Sequence, residues 1–327
     1  MVRTGEIETA ELSASGRFEI GKRLGSGAFG VVYEAWDRER AMEVALKQLH
    51  HVHPTAIYRF KKEFRSLADV THPNLVQLYE LLADGTLWYF TMELVRGVSL
   101  HDWVRPGAHL DTREAGSGEI TVESRRFIGR DVLAGDRHST HELPLDEGRL
   151  RSTFRQLAEG VHALHAAGKL HRDLKSQNVI VTREGRVVLL DFGLVHELSP
   201  RSSRETYDAD IVGTPLYMAP EQSTGSPLTE AADWYAMGVA LYRALTGRFP
   251  FDGRALEVLV AKQTRDPLPP CAIAPDVPAD LDRLCVELLR RQPRDRPSGR
   301  EILERLGNRE PVVATVTPTV GERPSHV

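Results

Sequence analysis

The chain predicts an α+β fold in two lobes: a small antiparallel β-rich lobe with one main helix, then a larger, mostly α-helical lobe. Three observations carry this expectation. A length of 327 residues exceeds what usually forms around one hydrophobic core. From Phe18 to about Leu94, short β-branched and aromatic runs alternate with glycines, as strands and turns do. From Leu150 onward, apolar residues recur at helical rather than strand spacing.

Residues 1–16 are polar and unpatterned and read as a flexible N-terminal arm. Strands are expected at Phe18–Leu24, Val31–Ala35 and Glu43–Lys47. A helix is expected over about Ile57–Val70, with Phe60, Phe64 and Leu67 on one face. Two more strands fit Leu75–Leu82 and Trp88–Leu94, and Leu150–Ala167 carries Phe154, Leu157, Val161 and Leu164 in a helical repeat. Thr229–Thr246, Ala255–Thr264, Ala279–Arg291 and Arg300–Leu306 read as further helices. Between about 105 and 147 lies a charged, glycine-containing stretch of weak periodicity, a surface insertion holding a short hairpin around 126–133. Residues 308–327, rich in Pro, Thr and Val, read as a linker-like tail toward a further C-terminal domain outside this chain.

Hydrophobic residues make up 41% and charged residues 27%, the balance of a globular protein. A net charge of −4 gives no global reason to expect nucleic acid or a membrane surface as partner. The two cysteines, Cys271 and Cys285, read as reduced core thiols rather than a disulfide or metal site. No apolar run reaches transmembrane length and the first residues lack a signal-like apolar stretch, so a cytoplasmic setting is expected.

Gly25-Ser26-Gly27-Ala28-Phe29-Gly30-Val31-Val32 reads G-x-G-x-x-G-x-V. Glycines let backbone amides approach phosphate oxygens without a Cβ clash, and their free φ suits a tight turn. A dinucleotide-binding loop has the same glycine spacing, but a helix follows it. Here the strand-like Val31–Ala35 follows. Lys47 closes the apolar run Val44-Ala45-Leu46; alone, it reads more readily as a strand-edge lysine snorkelling to water than as a phosphate ligand. Glu63 lies one turn past Phe60 on the core side of its helix, where a carboxylate needs a cation. Lys47 serves that need, as would the neighbours Lys61 and Lys62 at the surface. Downstream, His171-Arg172-Asp173-Leu174-Lys175-Ser176-Gln177-Asn178 precedes Asp191-Phe192-Gly193. Two carboxylates, a lysine and an asparagine then stand where a metal-bound nucleotide and a hydroxyl could meet.

In this order, these motifs resemble the signature set of eukaryotic-type (Hanks-type) serine/threonine protein kinases, in the flavour of the bacterial members. The resemblance covers residues 18 to about 306. It implies the bilobal protein kinase fold, with an N-lobe over 17–94, a hinge over 93–97 and a C-lobe over 97–307. It implies transfer of the γ-phosphoryl group of ATP, with Mg2+, to Ser/Thr hydroxyls of an unidentified protein substrate, with activation-loop autophosphorylation. Asp173 would be the catalytic base and Lys175 would neutralise the γ-phosphoryl group. Lys47 would meet the α- and β-phosphates and pair with Glu63. Asn178 and Asp191 would hold magnesium. Leu24, Gly25, Ser26, Gly27, Ala28, Phe29 and Gly30 would cover the nucleotide, while Val32, Ala45 and Ile180 sandwich adenine. Met92 would be the gatekeeper, with Glu93 and Val95 on the hinge.

The same resemblance implies supporting roles. Leu67, Leu78, His171 and Phe192 would stack between the lobes; Glu221 of Ala219-Pro220-Glu221 would pair with Arg296; Asp233 would support the catalytic-loop backbone. Lys175 and Gly213-Thr214-Pro215-Leu216-Tyr217-Met218 match the serine/threonine form, with Thr214 near Asp173. Arg172 would receive a phosphate on Ser203 or Thr206, while Gln177, in place of a glutamate, predicts no strong basic requirement in the target. Two other readings are a pseudokinase scaffold and a small-molecule kinase. Intact Lys47, Glu63, Asp173, Asn178 and Asp191 argue against the first. Arg172 and Ala219-Pro220-Glu221 argue against the second.

Overall fold

Strand order follows from which residues the β-lobe buries. The structure is a computed structural model and describes residues 16–27, 30–50, 54–85, 87–106, 145–191 and 214–307, with the backbone of 315–316. Strands β1 (Phe18–Gly27), β2 (Gly30–Asp37), β3 (Met42–Leu49), β5 (Leu78–Asp84) and β6 (Leu87–Glu93) form one sheet in the order β1-β2-β3-β6-β5. Every pairing in it is antiparallel. The central strand β3 is buried on both faces. Ala45 and Leu49 join Phe90 and Met92 against helix α1 (Pro54–Ala68), which contributes Phe60, Phe64 and Leu67. Val44 and Leu46 close a second cluster with Phe18, Ala35 and Tyr89 on the other face. The Phe60, Phe64 and Phe90 rings meet at 5.6–6.4 Å, a spacing at which tilted aromatic pairs attract.

A turn through Gly97 leads into the helical lobe. A Cβ there would lie 2.2 Å from the Val181 carbonyl oxygen, so only glycine lets the hinge pass this close to the next sheet. That sheet joins β7 (Val98–Ser99), β8 (Val179–Val181) and β9 (Val187–Leu189). Helices α2 (Leu100–Val104), α3 (Glu147–Ala166), α4 (Thr214–Tyr217), α5 (Pro220–Ser223) and α6 (Ala231–Thr246) follow in chain order. After them come α7 (Ala255–Thr264), α8 (Ala279–Leu288) and α9 (Gly299–Leu306). Helix α6 is buried from Ala232 to Thr246, as expected of a segment apolar on all sides. It ends at Gly247, whose φ of 71° supplies a left-handed C-cap.

Several boundaries depart from sequence expectation for physical reasons. Leu75 and Val76 do not begin a strand of the large sheet. The Val76 N–H donates to the Leu189 oxygen at 3.0 Å, tying this stretch to β9. Helix α8 stops at Leu288 rather than Arg291 because the Arg290 and Arg291 carbonyls turn to accept from Arg296 at 2.8 and 2.9 Å. Strands β4 (Val70–Thr71), β7, β8 and β9 are two or three residues long, too short for a periodicity. In the tail, β10 (Thr315–Val316) pairs antiparallel with β4. Cys285 is buried as expected, but Cys271 is exposed, so only one of the free thiols belongs to the core. The arm over 1–15, the hairpin expected at 126–133 and most of the insertion lie outside the described residues.

Candidate active site

The site is built around one buried carboxylate. Helix α6 carries Asp233 into the core at 1% exposure, where an unpaired charge would be costly. The backbone N–H groups of His171 and Arg172 donate to its two oxygens at 2.8 Å each. The His165 ring adds a third contact at 2.8 Å. Burial works against the ionised form, yet the His165 hydrogen bond and the donors of the 171–172 backbone hold Asp233 below the usual carboxylate range. This anchor fixes the loop where Arg172 takes a φ of 66°, a left-handed conformation that side chains disfavour.

From that loop Asp173 reaches the site surface, its side chain 20% exposed. The Lys175 ammonium donates to its Oδ2 at 2.9 Å. Asn178 donates from Nδ2 to the Asp173 carbonyl at 2.8 Å and approaches the carboxylate at 3.4 Å. The Leu190 N–H donates to the Asn178 backbone carbonyl at 2.7 Å, and the His171 ring meets the Leu190 backbone carbonyl at 2.9 Å. Asp191, the next residue, is therefore held beside the loop. Its φ of 53° is a second left-handed non-glycine. The Lys47 ammonium donates to Asp191 Oδ1 at 2.7 Å. Desolvation pushes the Asp191 carboxyl up, but the charge and hydrogen bond of Lys47 outweigh it and leave the group lowered.

One expected pairing is not the one formed. Glu63 does not take Lys47: Lys169 donates to both its carboxylate oxygens at 3.2 and 3.1 Å. Glu63 is 27% and Lys169 19% side-chain exposed, so water can reach both ions and the pair is worth little to stability. The buried Lys47 meanwhile takes the closer carboxylate, Asp191. Two other expected links are present. Arg296 grips Glu221 through two bonds of 2.6 and 2.8 Å in the core, and Asp233 holds the loop backbone as described.

The apolar wall assembles from both lobes. Ala45 pairs with Met92 and Val32 with Lys47 across the sheet, and Leu24, Val32 and Val95 pack against the core that contains Ala45 and Met92. Ile180 lies on β8, its Cγ2 2.7 Å from where a Gly97 Cβ would be. Glu93 spends its carboxylate on Arg186, at 2.5 and 3.1 Å, which ties hinge to β9. Gly25, Ser26 and Gly27 close β1 and Gly30 opens β2. Ala28, Phe29, Phe192, the Thr214 side chain and the candidate phosphorylation sites Ser203 and Thr206 lie outside the described residues.

Among the described residues, no group of three or more His, Cys, Asp and Glu could hold a metal by itself. The chemistry of Asn178 and Asp191 nevertheless fits a magnesium ion shared with phosphates. Asn178 spends its amide donor on Asp173, leaving its oxygen, and Asp191 has a second carboxylate oxygen beyond the one bound to Lys47. One or two protein oxygens completed by substrate oxygens is the usual magnesium arrangement.

Sequence reasoning passed over Lys169 and Lys262. The signals were slight: a lysine two residues before His171, and a lysine in the last turn of a largely apolar helix. The Tyr217 hydroxyl stands 2.7 Å from the Ser176 hydroxyl, joining α4 to the loop that carries Asp173.

Comparison with known proteins agrees with this geometry. Residues 18–306 match the protein kinase domain family. The chain is 34% identical over 289 residues to a serine/threonine-protein kinase, Pkn1, of Myxococcus xanthus, covering 86% of this chain and 36% of that one. It is 32% identical over 321 residues to the serine/threonine-protein kinase pkn2 of the same organism, covering 95% and 34%. Against the serine/threonine-protein kinase PknB of Mycobacterium tuberculosis, identity is 28% over 323 residues, covering 95% and 46%. The chain thus spans between a third and a half of the length of these relatives.

Proposed function

Because the chain belongs to the protein kinase family, of the bacterial serine/threonine type, we propose that it transfers the γ-phosphoryl group of ATP to serine or threonine hydroxyls of a protein. The observation that carries this reading is the Asp173 carboxylate, presented by a loop that Asp233 fixes and flanked by Lys175 at 2.9 Å. The acceptor hydroxyl oxygen attacks the γ-phosphorus as its proton passes to Asp173, and the bond to the ADP oxygen breaks. ADP and a phosphoester result. Lys175 lies beside Asp173, placed to neutralise charge on the transferred group, and Lys47 is placed for the α- and β-phosphates once it leaves Asp191. Magnesium, held by Asn178 and Asp191 when bound, supplies charge neutralisation across the phosphate oxygens. Leu24, Val32, Ala45, Met92, Val95 and Ile180 form the apolar slot for the base, with Glu93 at the hinge and the Gly25–Gly30 loop above the phosphates. Glu63 completes the catalytic set by exchanging Lys169 for Lys47.

Autophosphorylation on the activation loop, with Arg172 receiving the phosphate, belongs to the same reading. A net charge of −4 supports protein rather than nucleic acid or a membrane surface as partner. Among the described residues no helix is long and apolar enough to cross a membrane. Two free cysteines are consistent with a reducing, cytoplasmic setting.

The test is transfer of labelled γ-phosphate from Mg-ATP to the protein itself and to myelin basic protein, with sites mapped by mass spectrometry. Asp173→Asn should lower transfer by roughly 10²- to 10⁴-fold, the range of a lost acid–base group, and Asp191→Asn should abolish magnesium-dependent transfer. A folded wild-type protein that binds ATP and transfers nothing would make it a scaffold instead.

A further inference from the structure

Lys262 is a buried cation whose described hydrogen bonds all go to backbone carbonyls. It sits on α7 at 1% exposure, and its ammonium donates to the carbonyls of Pro215 at 2.8 Å, Leu216 at 2.8 Å and Met218 at 2.7 Å. Three acceptors match the three N–H donors of the charged form. The Tyr235 ring lies 5.3 Å away, a second stabilising contact for a cation. Burial draws the ammonium down to about 7, so this position is held against a desolvation cost that a plain core residue would avoid. A leucine or methionine would fill the same space without that cost.

The three carbonyls belong to the wall beside Asp173. Tyr217 and Met218 line one small cavity together with Arg172, Asp173 and Leu174. Tyr217 also reaches the catalytic loop at Ser176, 2.7 Å away. On its other side the wall rests on α7: Leu216 packs against Phe251, Val258 and Ala261. An acceptor chain whose hydroxyl reaches Asp173 would pass beside Tyr217 and Met218, which line the cavity next to that carboxylate. These carbonyls therefore face two tasks, closing the wall and holding its shape, and a single side chain from α7 satisfies all three.

We propose that Lys262 is the positioning residue of the acceptor wall, clasping the 215–218 backbone and so setting affinity for the polypeptide acceptor without affecting nucleotide affinity. The proposal rests on the protein-kinase reading above. It concerns recognition of main chain next to the target hydroxyl, whatever the identity of the substrate.

The test compares wild type with Lys262→Met, which keeps the length and loses the donors, and Lys262→Gln, which keeps N–H donors at shorter reach. With myelin basic protein as acceptor, Lys262→Met should raise the acceptor KM about tenfold, the effect expected of stranding buried carbonyls, with kcat and the KM for ATP within about twofold of wild type. Lys262→Gln should fall between the two. Hydrogen exchange at the Leu216, Tyr217 and Met218 amides should quicken in the same order. Equal rises in both KM values, or an acceptor KM unchanged in Lys262→Met, overturns the clasp. If Lys262→Met does not fold, an acceptor KM and amide exchange unchanged in a folded Lys262→Gln overturn it as well. A wild type without transfer activity refutes the kinase reading instead, and the exchange comparison then decides the clasp alone: unchanged exchange in Lys262→Met overturns it.

Discussion

Two sets of ion pairs in this molecule obey different rules. In the helical lobe, Asp233 and Glu221 are buried; Asp233 meets His165 and two backbone N–H groups, and Glu221 meets an arginine that is itself fixed by several acceptors. Arg296 binds both Glu221 oxygens and donates also to the carbonyls of Ala231, Arg290 and Arg291. In the β-lobe, Glu63 and Lys47 are joined to Lys169 and Asp191 instead of to each other. A buried ion has few low-energy arrangements, because any alternative strands a charge. A partly exposed ion loses little by changing partner, because water takes up the difference. The first set behaves as scaffold. In the second set Glu63 and Lys169 are such ions, while the buried Lys47 is not and holds the one carboxylate it meets, Asp191.

The largest effect expected is at the scaffold. Arg296→Ala should destabilise the fold by about 3–5 kcal/mol, the usual cost of leaving a buried carboxylate unpaired, read as a lower urea midpoint. Replacing both ends with apolar groups, Glu221→Leu with Arg296→Met, should recover part of that loss and not all of it, because three backbone carbonyls still lose their donor. A double variant as stable as wild type would remove Arg296 from the scaffold.

Acid should produce a smaller loss at the same place. The folded-state Asp233 carboxyl lies below its ordinary value of 3.8. Its stabilisation is therefore complete above that value and is lost as pH falls through it toward the lower folded value. Urea titrations from about pH 6 to about pH 2.5 should show a component of acid destabilisation that Asp233→Asn lacks. Matching pH slopes in the two proteins would contradict the assignment.

The smallest stability effect belongs to the exchangeable set. Lys169→Met should shift the unfolding free energy by under about 1 kcal/mol, as exposed pairs do. Its consequence should appear in turnover: Glu63 released from Lys169 is free to meet Lys47, and kcat for peptide phosphorylation should rise severalfold. Glu63→Gln should lower kcat and be indifferent to Lys169→Met added on top. A kcat unmoved by Lys169→Met would place the Glu63 contact among inert surface pairs.

Much of the site was legible because its chemistry depends on residues close together in sequence. Asp173, Lys175 and Asn178 are spaced within one short loop, and the structure brings them into contact at 2.8–3.4 Å. The glycine-rich turn and the strand ending at Lys47 were readable in the same way, through residue type and period. The five-stranded sheet followed from alternation and turns, although Leu75 and Val76, apolar enough for a strand of it, went to the other sheet. That choice depended on where β9 lay, which local pattern does not record.

Residue types and their spacing, by themselves, pointed to the fold class and the order of the lobes, because these follow from short-range periodicity, and they put Asp173, Lys175 and Asn178 on one short segment, whose roles the family resemblance implied. Tertiary structure alone decided which partner each ion takes, how far Arg296 shortens α8, and that Lys262, on a helix 44 to 47 residues downstream, reaches the wall beside Asp173. Those outcomes depend on distances between segments remote in sequence, and a lysine carries no mark of the carbonyls it will meet until packing brings them within 3 Å of it.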